Sequence, residues 1–333
     1  MRWLTNPSRG RVSRVVAIAM AALAGFAAVA GVLVGTGQAG SSGRSAPRAV
    51  AHHPAATQVK CGDVITTDAR LTRDLNNCPA DGVIIGAAGV TLDLDGYTID
   101  GVGAGIGVNN NGGYDDVTIK DGTVHQFMNG IRLTGADDNR LSRLTVSLNG
   151  EGIALEMSDD NRIERVSSAD NAGDGIVLRL DSDDNRVWRS SASDNGTSGI
   201  TVTEGAAGAG GSDDNRIERS SFVRNVTFGI ALEQNSDDSR LERNRAIANQ
   251  LDGIFVDLTS TDTRVRRNVA NENLDDGIEV ANAATTIARN TANENGNQAG
   301  NFGIEAVAGV TDGGGNRASG NGDPAQCLNV VCS

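Results

Sequence analysis

The sequence has few of the bulky and basic side chains on which most hydrophobic cores and many enzymes depend. Only 3% of its 333 residues are aromatic, Pro occurs 5 times, and the hydrophobic fraction is 38%. That fraction is too low for a thick core of Phe and Leu, yet too high for a disordered chain. The formal charge of -13 argues against nucleic acid as a partner, because such a partner rewards a basic surface.

Lysine and histidine are scarce, which limits the catalytic chemistry available. Lys60 and Lys120 are the only lysines, and His125 is the only histidine beyond the first 60 residues. A Ser/His/Asp triad, a Met/His copper cluster and a CxxC motif are all missing. Lys120 and His125 lie five residues apart and could serve a lyase, but we interpret them in preference as residues of a solvated surface. We expect no metal or other cofactor; Ca²⁺ has no supporting motif.

The first 39 residues resemble an export signal. Four arginines precede the uncharged apolar segment Val15–Val34, and Gly37-Gln38-Ala39 offers a cleavage site. The apolar segment is also long enough to span a bilayer if it is not cleaved. Secretion and N-terminal membrane anchoring therefore both stay open. Residues 40–60, rich in Ser, Ala, Gly, Arg and His, are interpreted as a flexible spacer, and residues 61–333 as one folded domain.

A repeat of roughly 24 residues dominates the rest of the chain. Its first signal is the dipeptide Gly-Ile, which begins at Gly105, Gly130, Gly152, Gly175, Gly199, Gly229, Gly253, Gly277 and Gly303. Its second signal is Asp-Asn-Arg followed by an apolar residue, at 138–141, 160–163, 184–187 and 214–217. Eight residues after that apolar position comes an asparagine, at Asn149, Asn171, Asn195, Asn225, Asn249, Asn273 and Asn295. Such self-similarity predicts a solenoid.

The repeat favours a parallel β-helix over other solenoids. Leucine-rich repeats need more Leu, and helical repeats do not tolerate so much Gly, Asn, Asp and Ser. The segment Gly152–Glu156 alternates instead, with Ile and Leu on one face and Ala and Glu on the other. Strand, Asp/Asn turn, strand and Asn turn would form one coil, and coils would stack ~4.8 Å apart. We expect one all-β domain of about eleven coils.

Two other segments extend the likeness to a known family. Cys61-Gly-Asp-Val-Ile-Thr-Thr and residues 89–101, together with the repeats, resemble exported right-handed parallel β-helix repeat proteins of the pectin-lyase-like superfamily. The C-terminal segment 320–332 is similar to the ending of actinobacterial members. The resemblance implies the fold of residues 61–333. It implies no single activity, because the superfamily includes lyases, hydrolases, epimerases, adhesins and proteins without known activity.

Four cysteines in an exported chain suggest two disulfides. The two ends of a rod of about eleven coils are too far apart to share a disulfide, which requires Cα atoms within ~7 Å. We therefore predict the pairs Cys61–Cys78 and Cys327–Cys332, each closing an end coil.

Two charged columns along the stack are interpreted first as structural. An aspartate column (Asp138, Asp160, Asp184, Asp214, Asp238, Asp262) precedes by two residues an arginine column (Arg140, Arg162, Arg186, Arg216, Arg240, Arg264). Both columns end at the same coil, which indicates mutual compensation rather than a calcium or ligand site. A third column (Arg143, Arg165, Arg189, Arg219, Arg243, Arg267, Arg289) is interpreted as a solvated face paired with glutamates, with binding of an anionic polymer as the alternative.

Irregular positions on the strand after each Gly-Ile are the candidate site. If Ile points inward, the residues before Gly and two and four after it point outward. We expect exposed acids at Asp252, Asp257, Asp276, Glu279 and Glu305, with Phe228, Phe255 and Phe302 among them. Asp252, Asp276 and Glu279 are the candidate catalytic acids, since paired carboxylates suit glycoside hydrolysis. Asp257, Glu305 and the three phenylalanines are the candidate sugar-binding residues.

Three functions follow as hypotheses. The first is a secreted, monomeric protein that binds an extracellular or cell-wall polysaccharide without established catalysis. The second is a glycan hydrolase or lyase that uses the acids. The third is a structural or adhesive rod without ligand chemistry. Contact with a membrane is expected only through the N-terminal segment, if that segment is not cleaved.

Overall fold

The computed structural model describes residues 58–333, which wind into a right-handed parallel β-solenoid. Every described strand pairs in parallel with the strand one coil away, and residues 58–333 contain no helix. Eleven coils and one last short strand confirm the predicted fold class. The proposed signal and most of the spacer lie outside the described residues. No helix that could cross a membrane is found within residues 58–333.

Three parallel sheets run along the solenoid, and each coil contributes to all three. Sheet I contains β1 (Asp63–Ile65), β4 (Val83–Ile85), β7 (Ile106–Asn110), β9 (Asn129–Thr134), β11 (Glu151–Glu156), β14 (Ile176–Arg179), β17 (Ile200–Thr203), β20 (Ile230–Leu232), β23 (Ile254–Val256), β26 (Ile278–Val280), β29 (Ile304–Ala306) and β32 (Cys327–Leu328).

Sheets II and III share two long strands, β8 (Thr118–His125) and β10 (Arg140–Ser147), whose first halves lie in sheet II and second halves in sheet III. Sheet II is completed by β2 (Ala69–Arg70), β5 (Thr91–Asp93), β12 (Arg162–Glu164), β15 (Arg186–Trp188), β18 (Arg216–Glu218), β21 (Arg240–Glu242), β24 (Arg264–Arg266), β27 (Thr286–Ala288) and β30 (Thr311–Asp312). Sheet III is completed by β3 (Leu75–Cys78), β6 (Thr98–Gly101), β13 (Ser167–Ala169), β16 (Ser191–Ser193), β19 (Ser221–Val223), β22 (Arg245–Ile247), β25 (Val269–Asn271), β28 (Thr291–Asn293) and β31 (Arg317–Ser319).

The core consists of stacked aliphatic columns instead of a three-dimensional aromatic core. In sheet I Ile106 lies opposite Asn129, but from Ile131 to Ile304 the isoleucine after each repeat glycine aligns with its counterpart in the next coil. These side chains are fully buried. Because each coil adds one thin layer of Ile, Val, Leu or Ala, the low aromatic content is sufficient to fill the interior.

Buried asparagine ladders hold the corners between sheet III and sheet I. The side-chain oxygen of Asn249 accepts the backbone N–H of Asn225 at 3.0 Å, and Asn273 accepts that of Asn249 at 3.0 Å. Their amide groups also donate to the next oxygen along the column, at 3.0 Å from Asn249 to Asn273. This satisfies turn N–H groups that no strand partner reaches. The asparagines that recur eight residues after the apolar position of each repeat therefore form a ladder at this corner.

The asparagine ladder explains why the repeat needs glycine before isoleucine. A Cβ added at Gly253 would lie 2.6 Å from the side-chain nitrogen of Asn273 and 2.6 Å from the carbonyl oxygen of Gly277. Both contacts are too close for any real side chain. Glycine is therefore required by the close approach of neighbouring coils, not by an unusual backbone angle.

Both disulfides form as predicted. Cys61 pairs with Cys78 and Cys327 with Cys332, across Cα–Cα distances of 5.3 and 6.2 Å. Each lies in an end coil, where a solenoid otherwise presents an uncovered strand edge.

The longest insertion leaves the register unchanged. Residues 205–211 extend the corner after β17, and the next strand still aligns Arg216 with Arg186. Glu204 fixes the loop by accepting backbone N–H groups of Gly208 and Ala209 and the amide of Asn235. The extra length is thus absorbed outside the stack.

Replacing one buried ladder amide should weaken the whole solenoid. In Asn249→Ala the N–H of Asn225 loses its acceptor, and an unpaired buried polar group costs ~1–3 kcal/mol. We expect a thermal midpoint several degrees below that of the natural protein, measured by circular dichroism. Asn297→Ala removes an exposed amide and is the matched control. Equal midpoints for the two variants would contradict the role given to the ladder.

Candidate functional site

The outer face of sheet I carries two adjacent columns that contain the candidate residues. The position before each repeat glycine holds Phe228, Asp252, Asp276 and Phe302 in successive coils, and the position two after it holds Phe255, Glu279 and Glu305. We call these seven residues the sheet I patch. The strand register aligns Phe255 with Glu279 and Glu279 with Glu305. The structure thus brings together the acids and phenylalanines that the sequence singled out.

Asp252 and Asp276 are buried, contrary to the expectation that they would be exposed. Only 3% of Asp252 and 2% of Asp276 is accessible. Asp252 accepts the backbone N–H of Asp276 at 2.8 Å, and Asp276 accepts that of Phe302. Asp174 accepts the N–H of Ser198 in the same way farther along the stack. These carboxyls therefore take part in the inter-coil hydrogen bonding, while Glu279 and Glu305 remain half-exposed above them.

Burial makes both aspartates hard to ionise. It raises the pKa of Asp276 to about 8, helped by a side-chain hydrogen bond with Glu305 and by that residue's charge. Burial also raises the pKa of Asp252 well above its usual range, and the charges of Glu279 and Asp276 add to the effect. At neutral pH Asp276 therefore holds its proton, and a protonated carboxyl is what general acid catalysis and hydrogen bonding to sugars both use.

Phe228 and Phe255 form a stacked pair next to the acids. Their ring centroids are 4.9 Å apart and the ring planes differ by 12°. Both rings are half-exposed, as is Phe302 at the other end of the column. The pair gives the patch an apolar surface of the kind that packs against the C–H face of a sugar ring.

Asp257 does not contribute its carboxylate to the patch. It accepts hydrogen bonds from the N–H groups of Thr259 and Ser260, at 2.9 and 2.8 Å, and so closes the turn after β23. A second carboxyl, Glu233, lies nearby. Burial is the main cause that raises the pKa of Glu233, and the charge of Asp257 adds to it. Asp257 is better explained as a turn residue than as a ligand.

Asp252, Asp276 and Glu279 are the described residues that could hold a cation. One carboxylate oxygen from each lies within 4.8 Å of the others. Oxygen ligands of this kind suit Ca²⁺. Asp252 and Asp276 are buried and the pKa of each is raised, so a cation would have to compete with protons for these two carboxyls.

An ion-pair network on the same face was missed in the sequence. Glu156 pairs with Arg132 at 2.5 Å and with Arg179 at 2.6 Å, and Arg179 also pairs with Glu151 at 2.8 Å. Asn129 donates to Glu151 at 2.8 Å. These residues occupy the three outward positions of the repeat, which are the position before the glycine (Asn129, Glu151), two after it (Arg132) and four after it (Glu156, Arg179). Applying the position rule to every coil would have found them.

The two aspartate–arginine columns do not compensate each other as expected. Arg216 and Asp184, 3.9 Å apart, are the one such pair in residues 58–333. The arginines pair instead with glutamates of sheet II, for example Arg140 with Glu164 at 2.6 Å and Arg186 with Glu218 at 2.5 Å. The aspartates lie at the corner before sheet II, where each has a left-handed backbone with φ between 50° and 56°. Glutamate pairing of the third column is found for Arg165, Arg243 and Arg267.

Comparison with known proteins identifies the fold and leaves the activity open. A family model described as the right handed beta helix region matches residues 81–210 and 203–321. No curated protein sequence matches the chain.

Three solved structures share the architecture at low sequence identity. The A-module of mannuronan C-5 epimerase AlgE4 from Azotobacter vinelandii is 17% identical with a TM-score of 0.60, over 80% of this chain and 91% of that one. A mutant of the periplasmic alginate epimerase AlgG is 15% identical with a TM-score of 0.58, over 81% and 70%. The Dettilon tailspike protein is 16% identical with a TM-score of 0.53, over 81% and 58%. At such identities the likeness shows the fold alone.

The raised pKa of Asp276 should make stability fall as pH rises. Between pH ~4 and about 8 the folded state holds a proton on Asp276 that the unfolded chain has lost, so raising the pH favours unfolding. Asp276→Asn keeps an acceptor for the N–H of Phe302 and removes the titration. We expect its thermal midpoint, relative to the natural protein, to rise steadily from pH 5 to pH 9.

Glu272→Gln, at an exposed carboxyl of the neighbouring turn, is the control and should show no such trend. A constant difference between Asp276→Asn and the natural protein across this range would show that Asp276 ionises freely. The assignment of a retained proton would then be wrong.

Proposed function

We propose that this chain, which belongs to the right-handed β-helix family, is an exported protein that binds an extracellular or cell-wall polysaccharide through the sheet I patch. The observation that carries the proposal is the stacked pair Phe228–Phe255 beside Glu279 and Glu305 on an outer sheet face. Apolar rings and half-exposed carboxylates side by side are what a sugar ring needs, because its C–H face packs on aromatics and its hydroxyls donate to carboxylates.

The repeating geometry of sheet I suits a polymer better than a small molecule. Successive coils present equivalent positions ~4.8 Å apart, so a chain of sugars lying along the axis can make similar contacts in several coils. Two structural neighbours are epimerases of mannuronan and of alginate, which are polysaccharides, and this supports a ligand of that class. Because the patch itself carries carboxylates, we expect an uncharged polysaccharide to bind there more tightly than an acidic one.

The proposed location is outside the cytoplasm. Two disulfides close the ends of the solenoid, and disulfides persist in oxidising compartments. In this proposal residues 1–39 direct export, residues 40–60 act as a spacer, and the folded domain works as a monomer. Any membrane contact would come from the N-terminal segment if it is not cleaved. The acidic composition makes nucleic acid an unfavourable partner.

A second candidate function is glycan cleavage by the acids of the same patch. It is favoured by one observation, the protonated Asp276 within 4.8 Å of other carboxyl oxygens. A general acid beside a carboxylate is the arrangement of glycosidases. Burial of Asp252 and Asp276 opposes this function, because a substrate oxygen would have to reach carboxyls that are about 97% covered. Binding without cleavage accounts for the exposed groups more directly.

Binding can be tested with a glycan array followed by calorimetry on the best neutral polysaccharide. Phe255→Ala removes half of the stacked pair and should weaken binding at least tenfold, about 1.4 kcal/mol. Leu258→Ala, which removes an exposed apolar side chain just beyond the strand, should leave affinity unchanged. If both variants bind like the natural protein, the patch is not the binding site. If no glycan binds, the structural rod is the correct hypothesis.

Cleavage is tested separately by assaying reducing ends and unsaturated sugar products from the polysaccharides that bind. If the second candidate function is correct, Asp276→Asn and Glu279→Gln should each reduce the rate at least a hundredfold. The exposed-carboxyl variant Glu272→Gln should retain the full rate. Activity that survives in both acid variants would exclude the sheet I patch as a catalytic site.

A further inference from the structure

The outer face of sheet II carries two parallel columns of arginine, which we call the arginine ribbon. In the first column each arginine lies opposite the arginine of the next coil in the strand register. This column contains Arg140, Arg162, Arg186, Arg216, Arg240 and Arg264. The second lies three residues later in each coil and contains Arg143, Arg165, Arg189, Arg219, Arg243, Arg267 and Arg289. Neither column is part of the sheet I patch.

Acids on this face are too few to neutralise the ribbon. The position between the two columns holds Glu164, Glu218 and Glu242, and these make the glutamate pairs of the ribbon. Several ribbon arginines make no ion pair with any acid of residues 58–333, namely Arg189, Arg219, Arg240, Arg264 and Arg289. Like charges one coil apart repel by ~1 kcal/mol per pair in water. A polyanion would remove that repulsion.

The backbone does not account for arginine in the second column. All seven residues have a left-handed conformation, with φ between 51° and 60°, which Gly and Asn adopt at lower cost. At the corner between sheet III and sheet I the same conformation is taken by different residue types, including Asp194, Arg224, Ala248 and Glu272. In the ribbon the position is arginine in seven successive coils, from Arg143 to Arg289. The guanidinium itself is therefore the feature that the repeat retains.

One aromatic ring organises the centre of the ribbon. Trp188 occupies the position between the columns, and four guanidinium carbons lie close to its ring centroid: Arg162 at 5.7 Å, Arg165 at 5.7 Å, Arg186 at 5.8 Å and Arg189 at 4.2 Å. Arg189 makes no ion pair, so its N–H edges stay available to an anion while the guanidinium contacts the ring, whereas Arg162 and Arg165 pair with Glu164 and Arg186 pairs with Glu218. The four groups are thereby positioned before any ligand arrives.

We propose that the arginine ribbon binds a single chain of an acidic polysaccharide that carries about one carboxylate per sugar unit. The rise of an extended sugar chain per unit is close to the ~4.8 Å between coils, so successive carboxylates can meet successive guanidiniums. The aspartate column along the adjoining corner, with exposed Asp160, Asp184 and Asp238, limits the width of the track. A broad polyanion such as duplex nucleic acid would lie over those aspartates and be repelled.

The probe is polygalacturonate, compared with its fully methyl-esterified form, which has the same backbone without charge. Binding is followed by calorimetry and by Trp188 fluorescence in a Trp3→Phe background. We expect the acid form to bind with an affinity that falls steeply as salt increases, and the ester to bind at least tenfold more weakly. Equal binding of the two forms, or tighter binding of duplex DNA than of polygalacturonate, would overturn the proposal.

A pair of matched triple variants locates the site. Arg219→Gln, Arg240→Gln and Arg264→Gln together remove three unpaired ribbon charges and should weaken polygalacturonate binding at least tenfold. Arg73→Gln, Arg245→Gln and Arg317→Gln together remove the same charge from exposed positions outside the ribbon and should change it less than twofold. Equal losses in the two triples would show that net charge, not the ribbon, sets the affinity.

Failure here is distinguishable from failure of the proposed function. Phe255→Ala, on sheet I, should leave polygalacturonate binding unchanged, and the ribbon triple should leave binding of a neutral glycan unchanged. If Phe255→Ala abolishes polygalacturonate binding while the ribbon triple does not, the acidic polymer binds on sheet I and the ribbon assignment is wrong. Circular dichroism on each variant confirms that the solenoid is intact.

Discussion

The solenoid depends on the hydrogen bond that a buried asparagine side chain accepts from the backbone of the preceding coil. Parallel strands satisfy their own backbone groups, but the corners between them do not, and a buried unpaired N–H is costly. At the corner between sheets III and I this need is met by a ladder that runs through Asn225, Asn249 and Asn273. Once this ladder is in place, glycine must stand opposite it, and the interior can be filled by one aliphatic layer per coil.

Side chains on the outer faces are free of that stacking requirement, so their chemistry is informative. Sheet I has an irregular sequence on its outer face, where rings and partly protonated acids adjoin. Sheet II has a regular outer sequence, in which arginine recurs at a position whose left-handed backbone does not favour arginine. The two faces would select different ligands: an uncharged glycan on the acidic face and an acidic polymer on the basic one. The net charge of the whole chain, -13, therefore does not describe the local charge of either face.

The sequence was sufficient to predict the fold and both disulfides, because a repeat makes every contact a consequence of one period. The repeat also predicts which residues share a column along the stack, and so it correctly placed Asp252 next to Asp276. Their burial was not predictable from alternation along a strand. It depends on neighbours in adjacent columns and coils, whose packing a single-strand pattern does not describe. Ion pairs were misjudged for a related reason, since Arg140 reaches across a coil to Glu164 and leaves the nearer Asp138.

The loop at residues 205–211 shows that a coil of this architecture can become longer without changing the alignment of its strands. The coil that contains it is six residues longer than its neighbours, yet the strands on either side pair as if nothing had been added. At corners of this kind, evolution or a protein engineer can insert new segments without changing how the strands pair. A clamp, a lid or a second recognition element could be installed above either outer face by lengthening one bend.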